Sequence, residues 1–210
     1  MNVAMVIFPG VEELDFVGPW ELLSLWSKLP SGPGNRMVVA QTMAPVLCAK
    51  GLSVNPHLPF ELCPDLDLLL VPGGIGSRFE VDNPVLIKFI RKQAKRATAV
   101  LSICTGAFLL HRAGLLSGKR ATTHWASLER LRALGDVDVA EERFVRDGDI
   151  WTSAGVSAGM DLVLAFIASQ AGEEVAGQVQ MDAEYFPIGQ PHGNPQDHPQ
   201  APRYLRGERP

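Results

Sequence analysis

Cys104 occupies a position suited to a nucleophile. Residues 97–110 begin as a short apolar, β-branched run, Ala99-Val100-Leu101-Ser102-Ile103, and change after Cys104-Thr105-Gly106 to helical spacing through Ala107-Phe108-Leu109-Leu110. A strand that ends in a cysteine and turns at once into a helix is a nucleophile elbow with sulfur in place of the usual oxygen. Such a turn holds the sulfur out at the strand's C-terminal end, and the free N–H groups of the helix start favour thiolate over thiol. The ordinary place of a lone cysteine after a buried strand is the core. The chemical reading therefore depends on what else reaches the same edge.

Two other loops do. Val3-Ala4-Met5-Val6-Ile7-Phe8 is an unbroken apolar run that ends at Pro9-Gly10. Pro19 suits the first turn of a helix running to about Lys28, with Leu22, Leu23, Leu25 and Trp26 as its apolar stripe. That start leaves Asp15 in the loop after the strand, where an aspartate commonly caps or turns the chain. A third run, Asp67-Leu68-Leu69-Leu70-Val71, leads into Pro72-Gly73-Gly74-Ile75-Gly76. Glycines there permit close backbone approach, so N–H groups at Gly73, Gly74 and Ile75 can converge on negative charge. No Gly-Lys-Ser/Thr follows, which excludes a P-loop. Together these groups supply a nucleophile, a carboxyl that can give or take a proton, and donors for a developing anion.

The elements that must position them alternate between strand and helix. Arg36–Ala40 reads as a second strand, and residues 45–60 as short extended pieces forming a small hairpin. Asn83-Pro84 opens a helix ending at Lys95-Arg96. Residues 115–125 read as a turn and short strand, followed by a helix from about Ala126 to Leu134. Val137–Val139, Phe144–Arg146 and Ile150–Thr152 are short strands, the last two joined by an Asp147-Gly148-Asp149 turn. A strongly apolar helix covers Leu162–Ala168, and a last one runs from Glu173 to about Tyr185. The alternation predicts a doubly wound, mostly parallel α/β sheet with helices on both faces. Residues 1–186 form one domain in this reading, and 187–210 a Pro-rich tail that is extended or disordered. In such sheets ligands bind at the C-terminal strand edge near a topological switch, where the three loops meet.

A chain of 210 residues with 46% hydrophobic and 20% charged residues suits a single globular core. The net charge of −4 argues against nucleic acid or an anionic membrane as partner. No apolar run is long enough to span a bilayer. The chain opens on a strand without a basic region or cleavage site, so no signal peptide is expected. The three cysteines, Cys48, Cys63 and Cys104, are widely spaced with no CxxC, which favours neither a disulfide framework nor a zinc site and fits a reducing cytoplasm. Cys48 and Cys63 carry no chemical context, and His192 and His198 are expected to be solvated.

Four stretches resemble the ThiJ/PfpI superfamily, also described as class I glutamine amidotransferase-like: Leu14-Asp15-Phe16-Val17-Gly18-Pro19, Val71–Gly76, Ser102–Gly106 and Gly114–Trp125. Within it they look closest to the isocyanide (isonitrile) hydratases. The resemblance implies a flavodoxin-like sandwich, usually a homodimer, acting on a small molecule without metal or organic cofactor. It also implies a cysteine strained at its elbow with an acid from the first-strand loop beside it, by position Asp15. Peptidase-like members have a histidine directly after the nucleophile; this chain has Thr105. Members acting on glyoxal or glycated groups usually carry glutamate where Asp15 stands.

The expected reaction is hydration of an isocyanide to an N-substituted formamide. Cys104 would attack, Asp15 would carry the proton, Thr105 would bond the sulfur or the water, and Gly74 and Ile75 N–H groups would steady negative charge. Val156, with Trp20, Phe79, Trp125 and Trp151, is a candidate for the pocket wall. His124 is a weaker candidate for a base, its bland role being a satisfied core or interface histidine. The alternatives are glyoxalase or deglycase activity, a cysteine redox sensor, and a ligand-sensing domain of the kind found in transcription regulators.

Overall fold

The computed structural model describes residues 1–187 and 193–207; His192 lies outside them. Seven strands form the central sheet: β1 Asn2–Val6, β2 Asn35–Ala40, β5 Leu58–Pro59, β6 Leu68–Val71, β7 Ala99–Ile103, β10 Phe144–Asp147 and β11 Ile150–Ser153, in the spatial order β10-β11-β7-β6-β1-β2-β5. Every pairing is parallel except β10 with β11. Ala4 lies opposite Leu69, and Leu69 opposite Val100. These three strands are apolar throughout because both of their faces are covered, and nearly all of their residues are buried. The fold is the flavodoxin-like α/β sandwich expected from the alternation and the resemblance.

Helices α1 Glu13–Trp26, α6 Ala158–Ala171 and α7 Glu173–Asp182 pack together against the sheet. A second set comprises α2 Ser77–Glu80, α3 Pro84–Ala94 and α4 Gly106–Arg112, with the short α5 Leu128–Arg132 further along the chain. The accessory hairpin is β3 Val46–Leu47 with β4 Ser53–Val54. The short strands expected within 115–125 and at 137–139 pair in parallel, as β8 Arg120–Ala121 with β9 Asp138–Val139.

Two expectations change. Helix α1 starts at Glu13, not Pro19, so Asp15 lies in its first turn and Pro19 inside it. The acidic side chains of Glu13 and Asp15 favour the helix start. Pro19 removes one backbone hydrogen bond, a loss that the buried packing of Phe16, Leu22 and Leu23 offsets. The C-terminal segment is not featureless: residues 193–207 carry 3-10 turns at Pro195–Asp197 and Arg203–Leu205 and rest against the body of the protein.

The order of strands reverses at β1 and β6, since the chain leaves β1 for β2 on one side and returns to β6 on the other. The loops after β1, β6 and β7 open at the same edge, at this switch point.

Candidate functional site

Cys104 has φ +56°, a left-handed conformation that costs a non-glycine residue on the order of 1 kcal/mol. Hydrogen bonds on both sides of the residue hold it there. Its N–H is shared between the carbonyls of Ser153 and Ala154 at 3.2 Å each, and its carbonyl accepts from Thr123 Oγ1 at 2.8 Å. The elbow is therefore clamped by β11 and by the segment after β8, and α4 begins two residues later.

The glycine loop is pressed against this elbow. A Cβ on Gly106 would lie 2.1 Å from the Val71 carbonyl oxygen, and one on Gly73 2.4 Å from Thr105 N. Only glycine fits at either place. Asp15 comes in from α1 with no exposed surface. Its Oδ2 accepts from Gly73 N–H at 2.9 Å, whereas its Oδ1, also buried, has no hydrogen-bond partner among the described residues. Burial pushes the Asp15 carboxyl up to about 8, against the pull of the Gly73 N–H. The Cys104 side chain and this carboxyl act on each other's ionisation.

Burial is also the main cause that pushes the Cys104 thiol up, and negative charge at Asp15 adds to it. The Thr105 N–H and hydroxyl pull the other way. The expectation that the helix start makes Cys104 a ready thiolate is thus corrected: the short α4 competes with the desolvation of a side chain only 6% exposed. Thiol and carboxyl form a coupled pair that resists losing both protons. With the proton on Asp15, its repulsion of the thiolate vanishes.

The donors of the glycine loop are already engaged. Gly73 N–H is bound to Asp15, and Gly74 N–H donates to Thr105 Oγ1 at 3.0 Å. The role expected for Gly74 in steadying substrate charge is corrected on that ground; of the loop N–H groups considered above, Ile75 alone has no protein acceptor among the described residues. Ser77, unremarked in the sequence, completes the cluster. Its hydroxyl donates to the Gly74 carbonyl at 2.8 Å and lies 2.9 Å from Thr105 Oγ1. Glu12 was missed as well. Its carboxylate, ion-paired to Lys50 at 2.7 Å, adds negative charge felt by both Asp15 and Cys104. Neither residue has a sequence signal beyond adjacency to a loop already suspected.

Cys104, Asp15, Thr105, Gly73 and Gly74 thus come together, and Val156 stands on the loop that follows Ala154. The other wall candidates separate. Trp20 stacks on His57 and lies beneath Arg36. Trp151 is buried edge-on against Phe166, and Phe79 is 77% exposed. Trp125 sits beneath the C-terminal segment, facing His198. His124 Nδ1 accepts from Ala126 N–H at 3.2 Å, and the ring lies over Gly155, where a Cβ would meet it at 2.0 Å. Burial lowers its pKa, so it stands as a neutral structural ring. Among the described residues no group of three or more His, Cys, Asp or Glu is placed to hold a metal, and no helix is long and apolar enough to cross a membrane.

Residues 1–169 match the DJ-1/PfpI family. The chain belongs to that family. It is 40% identical over 187 residues to the isonitrile hydratase of Pseudomonas putida, covering 89% of this chain and 79% of that protein. It is 33% identical over 185 residues to the HTH-type transcriptional regulator CdhR of Pseudomonas aeruginosa, covering 88% of this chain but only 54% of the regulator. Among solved structures, a ThiJ/PfpI family protein from Pseudomonas syringae superposes with TM-score 0.84 at 32% identity, covering 98% of this chain and 83% of that one. Drosophila melanogaster DJ-1beta shares the fold, with TM-score 0.76 at 20% identity over 88% of this chain and 98% of that one. This DJ-1/PfpI chain therefore has both an enzyme and a regulator among its relatives.

Proposed function

We propose that this protein hydrates an isocyanide, R–N≡C, to an N-substituted formamide. The observation that carries this reading is the pairing of Cys104 with a buried carboxyl, Asp15, raised to about 8, with no histidine among the described residues acting on either group. In its one-proton state the pair interconverts between thiol with carboxylate and thiolate with carboxylic acid, and the second form is the reactive one. The sulfur attacks the terminal carbon, which is both electrophilic and, once attacked, basic. Asp15 gives that carbon its proton, leaving a thioimidate, R–N=CH–S–Cys104, and a carboxylate. The carboxylate then takes a proton from water as the oxygen adds to the same carbon, and returns it to nitrogen. Loss of the hydroxyl proton to Asp15 and expulsion of the Cys104 thiolate release R–NH–CHO and restore the pair. The low polarity that raises Asp15 is what lets it act as an acid near neutral pH. The similarity to isonitrile hydratase supports the same assignment.

Thr105 biases the sulfur toward thiolate, and Ile75 supplies the uncommitted N–H at the mouth. Val156 borders the opening. A redox-sensing role is less well served by a thiol this buried. The reading places one catalytic domain at residues 1–186, working in the cytoplasm as a homodimer. Leu14 and Val17 on α1 and Leu47 and Leu52 at the hairpin are exposed, and Glu13 ties the hairpin to α1 through the N–H groups of Lys50 and Leu52. The test is turnover of a simple alkyl isocyanide, followed by formamide appearance, in wild type, Cys104→Ala and Asp15→Asn. Formamide production that falls at least about 10³-fold in Cys104→Ala is expected. Substantial turnover in that variant would sink the mechanism.

A further inference from the structure

Ser77 is a polar side chain sealed inside the molecule, 1% exposed, that the chemistry above does not use. The close approach of two loops puts it there. Gly76 N–H donates to the Gly10 carbonyl at 2.9 Å, and a Cβ on Gly76 would lie 1.9 Å from the Pro9 carbonyl oxygen. The loop after β1 thus fixes the start of α2, which packs on α4 just beyond the elbow. A hydroxyl buried at such a junction is costly unless its hydrogen bonds are met. Both partners of Ser77 belong to the site: its Oγ lies 2.8 Å from the Gly74 carbonyl and 2.9 Å from Thr105 Oγ1.

The Gly74 carbonyl has two lone pairs, and Ser77 supplies a donor to each, its N–H at 3.1 Å and its hydroxyl at 2.8 Å. The Thr105 hydroxyl stands further off, 3.2 Å from the same carbonyl. Thr105 Oγ1 accepts from Gly74 N–H at 3.0 Å and keeps one lone pair for Ser77. Two arrangements of the hydroxyl hydrogens satisfy this geometry. In one, Thr105 donates to Ser77 and Ser77 to the Gly74 carbonyl. In the other, Ser77 donates to Thr105, and the Thr105 hydrogen is free for the sulfur of the neighbouring Cys104. As a thiolate, that sulfur is the stronger acceptor. The Thr105 hydroxyl does draw Cys104 toward thiolate against burial.

We propose that Ser77 is a positioning residue of the Cys104 site: its hydroxyl, turning between the Gly74 carbonyl and Thr105 Oγ1, lets the Thr105 hydrogen follow the sulfur between thiol and thiolate. Linked hydroxyls polarise one another, so Thr105 donates more strongly with Ser77 behind it. Only hydroxyl hydrogens turn; the thiol proton itself passes to Asp15. Ser77 is uncharged and hydrogen-bonds, among the described residues, to neither Asp15 nor Glu12, the carboxyls that act on the sulfur. The relay's part in turnover rests on the isocyanide reading above, whereas its effect on the thiol does not.

The experiment reads the thiolate directly, as the ultraviolet absorbance of each protein minus that of its Cys104→Ala counterpart, above about pH 8, where the pair has lost its first proton. Ser77→Ala should lower this absorbance about fivefold. In a Thr105→Val background the same change should alter it by less than about 1.5-fold, and in a Thr105→Ser background, which keeps the hydroxyl, by about fivefold again. The second readout is kcat for methyl isocyanide, which should fall about fivefold in Ser77→Ala with KM within about twofold. An unchanged absorbance in Ser77→Ala overturns the proposal, as does a drop that persists in the Thr105→Val background. A lower kcat with thiolate intact overturns it too, since that is the mark of a merely structural role. Loss of thiolate with kcat unchanged overturns the part in turnover. Thiolate loss that needs the Thr105 hydroxyl, in a protein whose wild type turns over no isocyanide, upholds the relay and removes the hydratase reading.

Discussion

The backbone around the Cys104 elbow is packed to contact, whereas the segment 193–207 is lightly laid on the body of the protein. At the elbow, no Cβ fits on Gly73, Gly74 or Gly106, and the Gly73 and Gly74 N–H groups are bound to named acceptors. Among the described residues, 193–207 hold to the body through a 3.4 Å hydrogen bond and an aromatic edge, with cavities beneath. Reacting atoms must be held to a fraction of an ångström, and a surface segment carries no such demand.

The comparison breaks most visibly at Gly106. Gly106→Ala forces a methyl to within 2.1 Å of the Val71 carbonyl and should cost about 3 kcal/mol or more in guanidinium unfolding. A loss under 1 kcal/mol would show the elbow packing able to yield. Asp15→Asn comes next. The folded carboxyl near 8 stands above its ordinary 3.8, so the folded state keeps a proton that the unfolded state releases. This contribution is complete below about pH 4 and is lost as pH climbs through 8. Asparagine cannot ionise, so the stability of the variant relative to wild type should grow by a few kcal/mol between those limits. Parallel pH curves would mean that Asp15 is not held protonated. Turnover in wild type should rise about tenfold per pH unit up to about pH 8, as the pair loses its first proton, and Asp15→Asn should lack that limb.

Thr123→Val removes the buried hydrogen bond to the Cys104 carbonyl and should cost about 1–2 kcal/mol, with slower turnover. Unchanged stability would mean that the elbow holds its φ without this clamp. The smallest effect belongs to the segment 193–207. Glu141→Gln weakens the tie to Arg203 and should change global stability by less than about 0.5 kcal/mol while raising proteolytic nicking of residues 193–207. Unfolding that shifts by several times this figure would make the segment part of the core.

How much was legible varied with the range of the interaction. The elbow at Cys104 could be read because a buried strand and a helix each leave a local pattern, and they meet at that residue. The N-terminus of α1 could not, because Pro19 is locally a start signal and only the packing of Phe16, Leu22 and Leu23 carries the helix back to Glu13. The glycines at 73 and 74 announced a loop of close approach. They did not say that Asp15 and Thr105 would take their N–H groups. Ser77 and Glu12 had no pattern.

The order of residues by itself determined the alternation of apolar runs and helical spacing, the placing of three chemically able loops after three strands, and the family resemblance. These depend on periodicity and local backbone preference, which act over a few neighbours. Only the tertiary structure decided the protonation of the site. Desolvation of Asp15 and Cys104 comes from atoms distant in the chain, and a pKa responds to everything packed around a charge.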